Sequence, residues 1–493
     1  MVTRVDVLLV NTPLRGAGTP GCLYPSLANL TLGSFVSRAG WSVALLDPTV
    51  DLDSVPPEAM SDPRAVLRAT AEAVVAARPR VLGLTTMGHT EGSFAVALAR
   101  EVRCLLPDLP IVLGGSWATG YADLVLARFP FVDGVALGSG EHPLAMALDR
   151  GLGSGGHDHT AGVLASTPGW LARAGDRTMT AGPAERLRPE DSPRLDLSLL
   201  AHPDRYDTMV YLTSRGCPFR CVFCTEPFMF DRQMNEPIDK VAADLAAFGT
   251  ELDVGYLWLC DPLFGASRDR LRELLPLLER GATGFLFESR VDKLDPEAIP
   301  DIRAAGGDLV YLGLEAASTR SLLQMRKVAG KRDAARYRDK ARAVVEACAA
   351  SDVLPVLGVL SPVPGDTPAD IDQTIDFLAE LDALARVAGE RAGTHIRPFF
   401  YAFPYRVDRG TEAARTWDTD AGAHGCTTNV GEDDLFTERE VLDGSISLDR
   451  AAAAAFRQRV RDLNRGGPDV MKRALRSMPR PFLTARWMPD SDA

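Results

Sequence analysis

The sequence contains no uninterrupted apolar stretch near the roughly 18 residues that a membrane-spanning helix needs. It carries no excess of basic residues: 54 Lys and Arg stand against 66 Asp and Glu, a net charge of -12. The positive surface on which non-specific nucleic-acid binding depends is therefore missing. Cysteine is sparse, eight in 493 residues, too thin for a disulfide scaffold in a chain of this length. No repeat of solenoid period occurs, and the alanine run 451–455 is a helix former rather than low complexity. The opening MVTRVDVLLVNTP passes from a short apolar run straight into turn residues. It lacks the longer apolar core and small-residue cleavage site of a secretory signal. These absences lead to the expectation of a cytoplasmic protein with neither membrane nor nucleic acid as partner.

Apolar residues make up 46% and charged residues 24% of the chain, ordinary values for a globular protein. The length accommodates two or three domains at about 150 residues each. Short apolar runs predict strands at 5–10, 42–46, 80–85, 110–113 and 132–137. Helical spacing of apolar residues fills 26–38, 62–77 and 91–106 between them. That alternation predicts a parallel sheet with right-handed crossovers. Small residues gather after the strands, in Asn11-Thr12-Pro13, Gly114-Gly115 and Gly138-Ser139-Gly140-Glu141. Each one alone reads equally well as a tight turn. Their concentration on the carboxyl edge, where open α/β sheets bind ligands, favours a ligand.

Residues 151–185 are rich in Gly, Ala, Ser and Thr and read as linker, with a hairpin around 162–180. A second series of strands is predicted near 209–213, 254–259, 284–289, 308–313, 353–359 and 396–401. Helical patterns at 237–248, 267–279, 296–305, 333–351 and 367–383 lie between them. Six such units predict a parallel barrel, complete or partial, with active residues at the carboxyl ends of its strands. Residues 411–493 are less regular, with helical stretches at 437–442 and 448–464.

The segment Thr213-Ser-Arg-Gly-Cys-Pro-Phe-Arg-Cys-Val-Phe-Cys-Thr225 follows the first of these strands. It spaces Cys217, Cys221 and Cys224 as C-x3-C-x2-C. Three thiolates on one loop can hold three irons of a 4Fe-4S cubane and leave the fourth without a protein ligand. An open metal position is where a substrate or cofactor binds the metal directly. A zinc knuckle is the competing use, but zinc prefers four ligands, usually as two distant pairs. No second cysteine pair exists, and the nearest histidine is His202. A four-cysteine electron-transfer cluster that recruits Cys260 stays open on counting alone.

This cysteine spacing, with Phe223 before the last Cys, resembles the radical S-adenosylmethionine (SAM) superfamily. The resemblance implies that the amino and carboxylate groups of SAM chelate the open iron. One electron then cleaves the sulfonium to methionine and a 5′-deoxyadenosyl radical, which takes hydrogen from an unactivated carbon. Tyr311-Leu-Gly-Leu-Glu-Ala-Ala-Ser318 resembles the fourth-strand G-x-E-x-x-S pattern of that family, in which Glu315 and Ser318 would help hold SAM. Ala317 stands where a glycine is more usual. Val359-Leu-Ser-Pro-Val-Pro-Gly-Asp-Thr367 matches the fifth-strand loop near the adenine. Asp261 ends the second strand and Arg290 the third. A cation there can pair with the cofactor carboxylate; an ordinary ion pair at the barrel mouth is the competing role.

The N-terminal half resembles the cobalamin-binding domains that precede radical SAM barrels. The residues that carry this are Asn11-Thr12-Pro13, Pro25-Ser-Leu-Ala-Asn-Leu30, Asp47, Thr85-Thr86, Val112-Leu-Gly-Gly-Ser-Trp-Ala-Thr119 and Gly138-Ser-Gly-Glu141. The resemblance places Asn11, Thr12, Thr85, Thr86, Gly114, Gly115, Ser116, Trp117, Gly138, Gly140 and Glu141 at the cofactor. The cobalt-ligand motif D-x-H-x-x-G is absent, as is usual in this subfamily. His89, after the third strand, can approach the lower face of the corrin or be an ordinary hydrogen-bonded residue; His142 is equally open. Trp117 packs on the corrin or in the core. A degenerate domain that holds no cobalamin is a further alternative. Phe399, Phe400, Tyr401, Phe403, Tyr405 and Arg406 form a substrate wall or, where they alternate, barrel core.

The expected fold is α/β: a doubly wound Rossmann-like cobalamin-binding domain at 1–155, a linker at 156–200, a partial (βα)6 radical SAM barrel at 201–410 and a small, mostly helical region at 411–493. The expected activity is transfer of a methyl group, through cobalamin, to an unactivated carbon of a small-molecule natural-product substrate. A flavodoxin- or ferredoxin-type protein would donate the electrons. A radical rearrangement or ring contraction without methyl transfer, and an iron–sulfur redox or sensor protein, are the alternatives. The last would not require the loops carrying Glu315 and Gly365.

Overall fold

Four consecutive apolar residues, Val7–Val10, form β1 with every side chain buried, as the centre of a sheet covered on both faces requires. The computed structural model describes residues 5–12, 23–53, 60, 62–175, 177–252, 254, 256–281, 284–360, 362–363, 365–403, 405, 408–415 and 450–464. They fall into two units, one ending at Tyr206 and one beginning at Asp207.

In the first unit β1 is joined by β2 (Val43–Leu46), β3 (Val81–Thr85), β4 (Ile111–Gly114), β5 (Gly134–Ala136), β6 (Trp170–Ala174) and β7 (Arg177–Met179). The sheet order is β2-β1-β3-β4-β5-β6-β7. The first five strands run parallel, while β6 and β7 are antiparallel additions. Strand order reverses at β1, so the chain leaves β1 and β3 to opposite sides. This is the switch point at which open α/β sheets leave a crevice. Val10 lies opposite Leu84 in the register, which brings Asn11 and Thr12 level with Thr85 and Thr86. The helix Leu27–Arg38 starts at Ser26, whose hydroxyl accepts from the Asn29 amide.

Residues 156–200, expected to be linker with a hairpin around 162–180, hold that hairpin as β6–β7 and, beyond expectation, the helix His157–Ser166 and two short helical turns at Pro189–Asp191 and Leu197–Leu199; a third turn follows at Pro203–Arg205. The small-residue composition conceals three anchors: Leu164, Trp170 and Ala172 are each at most 1% exposed. The Trp170 indole N–H donates to the Pro143 carbonyl at 3.0 Å. Further along, the Asp196 amide donates to Ser34 Oγ at 2.9 Å. Three short helices, Ser116–Gly120, Ala122–Arg128 and Glu141–Asp149, also stand where the sequence pattern assigned no element.

The second unit has β8 (Thr208–Tyr211), β9 (Ser214–Arg215), β10 (Met234–Asn235), β11 (Tyr256–Leu259), β12 (Phe285–Arg290), β13 (Gly307–Glu315), β14 (Leu354–Leu360) and β15 (Phe399–Phe403). Six of these form one sheet in the order β8-β11-β12-β13-β14-β15, every pair parallel. Among the described residues β8 and β15 stay unpaired with each other, so the barrel is partial. On β12 the rings of Phe285 and Phe287 pack with Phe264, while Glu288 takes the alternate face. Tyr311 and Phe403 lie two strands apart, yet their rings meet at 6.2 Å. The sheet therefore curls toward that face.

The helix Pro368–Ala392 begins with a reciprocal cap between Thr367 and Asp370. The helix Arg450–Asn464 covers the β15 edge. Its Asn464 side chain accepts from the Phe400 amide at 2.9 Å and donates to the Phe400 carbonyl at 2.8 Å, which satisfies backbone groups that an edge strand leaves open. The helix expected at 437–442, and Pro13, Ser361, Pro364 and Arg406, lie outside the described residues.

Candidate cofactor site

The cysteine loop starts where β8 ends, and Asp261 holds its first turn. The carboxylate accepts from the Thr213 amide at 3.0 Å and from the Thr213 and Ser214 hydroxyls at 2.7 Å each. Burial pushes the Asp261 carboxyl up, and these donors pull it back. Asp261 therefore fixes the loop's departure. The two-residue strands β9 and β10 pair antiparallel, Ser214 with Asn235 and Arg215 with Met234, and close the loop at its base. Gly216 follows with φ at 73°, and a Cβ there would stand 2.3 Å from the Arg232 carbonyl oxygen. Only glycine fits immediately before Cys217.

Cys221 is buried and Cys217 and Cys224 are half-buried. A turn joins the last two, with the Cys224 amide donating to the Cys221 carbonyl at 3.1 Å. The Val222 amide donates to the Met325 carbonyl at 3.2 Å, and the Val222 carbonyl accepts from the Ala413 amide at 2.8 Å. Among the described residues no three His, Cys, Asp or Glu side chains converge as ligands of one metal ion do. A cubane takes each thiolate on a separate iron, so three cysteines on one loop suit a cluster, whereas a zinc knuckle needs a fourth ligand. Burial pushes the Cys217 thiol up, and the Cys224 thiol up to about 12. Iron must displace those protons as it binds.

Arg290, expected to meet the cofactor carboxylate or to sit in an ordinary ion pair, pairs with Asp292 at 3.0 Å and also reaches the cysteine loop. Its Nη1 lies 3.2 Å from Cys221 Sγ. Its guanidinium stands 4.0 Å from the Phe219 ring centroid. Phe223 meets Tyr405 edge-on at 6.3 Å and packs against Ala316, Met325 and Val363. The aromatic before the last cysteine thus ties the cysteine loop to the loops after β13 and β14.

Glu315 ends β13 with φ at 64°, a conformation rare outside glycine. Its carboxylate pairs with Lys327 Nζ at 3.0 Å, where Lys327 is 3% exposed. Lys327 also donates to the Gly313 carbonyl at 3.2 Å. Ser318 is fully buried and caps the helix Thr319–Gln324. Its hydroxyl shares a 2.7 Å hydrogen bond with Ser321 Oγ, which donates to Asp366 at 2.6 Å. Ser318 therefore couples the β13 loop to the fifth-strand loop, and its hydroxyl is engaged within the protein.

The inner face of the sheet below this loop is aromatic and acidic. Trp258 Nε1 donates to Glu288 at 3.0 Å, and Tyr311 stands opposite Glu288 in the register. Tyr401 packs on Phe403 at 4.4 Å. Gly358 leaves room for the Tyr311 hydroxyl, which would lie 2.3 Å from a Cβ there. Burial, with Asp261 and Glu226 nearby, pushes the Glu288 carboxyl up to about 7. Glu288 and Lys327 escape sequence reasoning. The one signal for Glu288 is a charge directly after the apolar run Phe285–Phe287 of a buried strand.

In the first unit the carboxyl edge at β1 and β3 holds several expected residues together. Asn11 Nδ2 donates to Asp47 at 3.4 Å, and Thr85 Oγ1 donates to Asn29 Oδ1 at 2.5 Å. Asn29 is 1% exposed, and among the described residues its Nδ2 has no partner. A buried orphan donor beside Thr85 suits a ligand rich in acceptors. Thr12 is buried at the same edge. Gly115 has φ at 96°, and a Cβ there would stand 2.1 Å from the Thr86 carbonyl oxygen. Gly138 has φ at 78° with open space where a Cβ would sit. Gly140 precedes the helix Glu141–Asp149, whose Glu141 is buried. Gly114 ends β4 and Ser116 Oγ donates to the Met87 carbonyl at 2.9 Å.

Two expectations change. Thr86 spends its hydroxyl on the fold, donating to the Gly114 carbonyl at 2.9 Å and accepting from the Ala118 amide at 3.2 Å. Trp117, expected at the corrin, is core: it is 3% exposed and stacks on Tyr121 at 5.5 Å. The reason is Gly92, where a Cβ would stand 2.5 Å from the indole. His89 opens the helix His89–Leu105, and His142 lies edge-on to Phe35 at 5.1 Å. Met87, in the loop after β3, is 74% exposed. Nothing in its sequence neighbourhood singles it out.

Comparison with known proteins agrees with these two edges. Residues 17–148 match the B12 binding domain, and residues 211–378 match the radical SAM superfamily. The chain thus carries a B12 binding domain followed by a radical SAM domain. Its cofactors are cobalamin, a 4Fe-4S cluster and SAM. The anaerobic magnesium-protoporphyrin IX monomethyl ester cyclase of Rubrivivax gelatinosus is 28% identical over 52% of this chain and 47% of its own. The 2-(S-pantetheinyl)-carbapenam-3-carboxylate methyltransferase of Streptantibioticus cattleyicolor is 30% identical over 38% of this chain and 28% of its own. The chain spans about half the length, or less, of these relatives. The radical SAM methyltransferase TsrM of Kitasatospora setae, solved with cobalamin and a [4Fe-4S] cluster, shares the fold. Its TM-score is 0.66 at 18% identity over 87% of this chain and 81% of that one.

Proposed function

We propose that this protein methylates an unactivated carbon of a small-molecule substrate in the cytoplasm, with electrons from a flavodoxin- or ferredoxin-type donor. The observation that carries the reading is the glycine-gated loop of Cys217, Cys221 and Cys224 at the carboxyl end of β8, in one chain with the Asn29–Thr85 edge. When bound, the cluster and SAM supply the electron and the radical, and cobalamin supplies the methyl carrier.

The chain's own residues bind and orient. Cys217, Cys221 and Cys224 hold three irons. Glu315, in its strained conformation and paired with Lys327 at the end of β13, would help hold SAM. Ser318, through Ser321 and Asp366, keeps the β13 and β14 loops in register beneath it. Phe223 seals the cysteine loop against the same two loops. Asn11, Thr12, Thr85 and Asn29, with the backbone at Gly114, Gly115, Ser116, Gly138, Gly140 and Glu141, form the cobalamin edge. Trp258, Tyr311, Tyr401 and Phe403 wall the substrate space, a surface that excludes water and positions the reacting carbon.

The test is anaerobic reconstitution with iron, sulfide and hydroxocobalamin, then dithionite and deuteromethyl-labelled SAM. The expected result is 5′-deoxyadenosine together with label moved from SAM to the corrinoid fraction. 5′-Deoxyadenosine with all label retained in methionine would replace methyl transfer by the rearrangement reading, the chemistry nearer to a cyclase relative. Neither product would leave an iron–sulfur redox protein.

A further inference from the structure

We propose that Arg290 sets the reduction potential of the iron–sulfur cluster by donating to Cys221 Sγ, and that it is a redox-tuning residue rather than a ligand of SAM. This rests on reading the cysteine loop as a cluster site. Arg290 ends β12, on the strand beside the one that carries Glu315. Its guanidinium is held on three sides. Nε donates to Asp292 Oδ1 at 3.0 Å. Nη2 donates to the Lys327 carbonyl at 2.9 Å and lies 3.3 Å from Asp292 Oδ2. Nη1 meets Cys221 Sγ at 3.2 Å. The flat group also covers the Phe219 ring at 4.0 Å, and Phe219 lies inside the cysteine loop. Turning it toward a cofactor carboxylate would break all of these contacts.

The consequence is electrostatic. One-electron reduction adds negative charge to the cluster, and part of it resides on the thiolate sulfurs. A cationic N–H donor on one sulfur stabilises the reduced form more than the oxidised form, which raises the potential. The side chain of Arg290 is only 7% exposed, so solvent screens this interaction weakly. Asp292 opposes it by partly neutralising the guanidinium. Lys293 adds a second cation 5.1 Å from the Phe219 ring. Lys327 lies behind Arg290 with its own charge spent on Glu315.

The experiment uses the full chain, reconstituted anaerobically, with iron and sulfide counted and the cluster midpoint read by EPR during a dithionite titration. Arg290→Gln is expected to keep its iron and to shift the midpoint negative. The reduced-to-oxidised ratio at fixed potential should fall about tenfold, equivalent to about 59 mV for one electron. Arg290→Lys should recover part of the shift. An unchanged or positive midpoint in iron-replete Arg290→Gln overturns the proposal. If that variant loses iron, Asp292→Asn decides: a positive shift supports the proposal, and no shift or a negative one overturns it. A wild-type chain that assembles no cluster would instead sink the reading of the loop itself.

Discussion

Asp261→Ala isolates the device that aims the cysteine loop. Asp261, Thr213 and Ser214 are 1%, 2% and 4% exposed. Removing the carboxylate leaves the Thr213 amide and two hydroxyls without this acceptor. Each orphaned buried donor costs about 1–3 kcal/mol. The hydroxyls can rotate to weaker partners, so the local loss should total about 3 kcal/mol, near the lower end for three groups. Asp261→Asn should cost about 1 kcal/mol. Its amide oxygen can face the Thr213 N–H while its NH2 donates to the two hydroxyls, so the charge assistance is lost but not the bonds. Hydrogen exchange on the iron-free chain, read at residues 208–216, is the assay. At about 1.4 kcal/mol per tenfold, protection should fall roughly 100-fold in the Ala variant and several-fold in the Asn variant. Equal exchange in both variants and wild type would refute the reasoning. So would a loss spread evenly over both units.

Three further outcomes follow from the geometry. Trp170→Ala empties a fully buried site and removes the hydrogen bond to Pro143, so it should destabilise the first unit by about 3–5 kcal/mol in urea unfolding; a change under about 1 kcal/mol would return residues 156–200 to linker. Asn29→Leu removes the orphan amide and should weaken hydroxocobalamin retention about three- to tenfold in equilibrium dialysis, whereas unchanged retention would remove Asn29 from the cofactor edge. Glu288 has its carboxyl raised from 4.5 to about 7 by burial, so the native state binds more protons than the unfolded state in that window. Stability of the iron-free chain should fall as pH rises from about 4.5 through 7. Glu288→Gln should flatten the slope, and an unaltered slope would show the charge to be solvated.

The elements that could be read in advance are those whose own residues carry the period. The apolar runs VLLV at β1 and LPVLGVL at β14 form buried strands within a residue or two of expectation. The cysteine spacing and the Y-L-G-L-E-A-A-S tract are equally local. What escaped is set by distant partners. Trp117 turns into the core because Gly92, 25 residues earlier, lacks a side chain. The hairpin at β6 and β7 falls within the expected 162–180, but its anchoring by Trp170 against Pro143 is hidden in a linker-like composition. Arg290 pairs locally with Asp292, but its contacts with Cys221 and Phe219 are ones that local sequence does not place beside it. The short helices between Ser116 and Arg128 sit among glycines and carry no long period.

The central claim is that three thiols hold a cubane whose fourth iron is open to SAM. Mössbauer spectroscopy of the chain reconstituted with iron-57, recorded with and without SAM, tests it most directly. About four irons per chain are expected, one of which alone changes its signal when SAM is added, with loss of that iron complement when Cys217, Cys221 or Cys224 is replaced by Ala. Four irons that all ignore SAM, or a chain that takes up no iron, would contradict it.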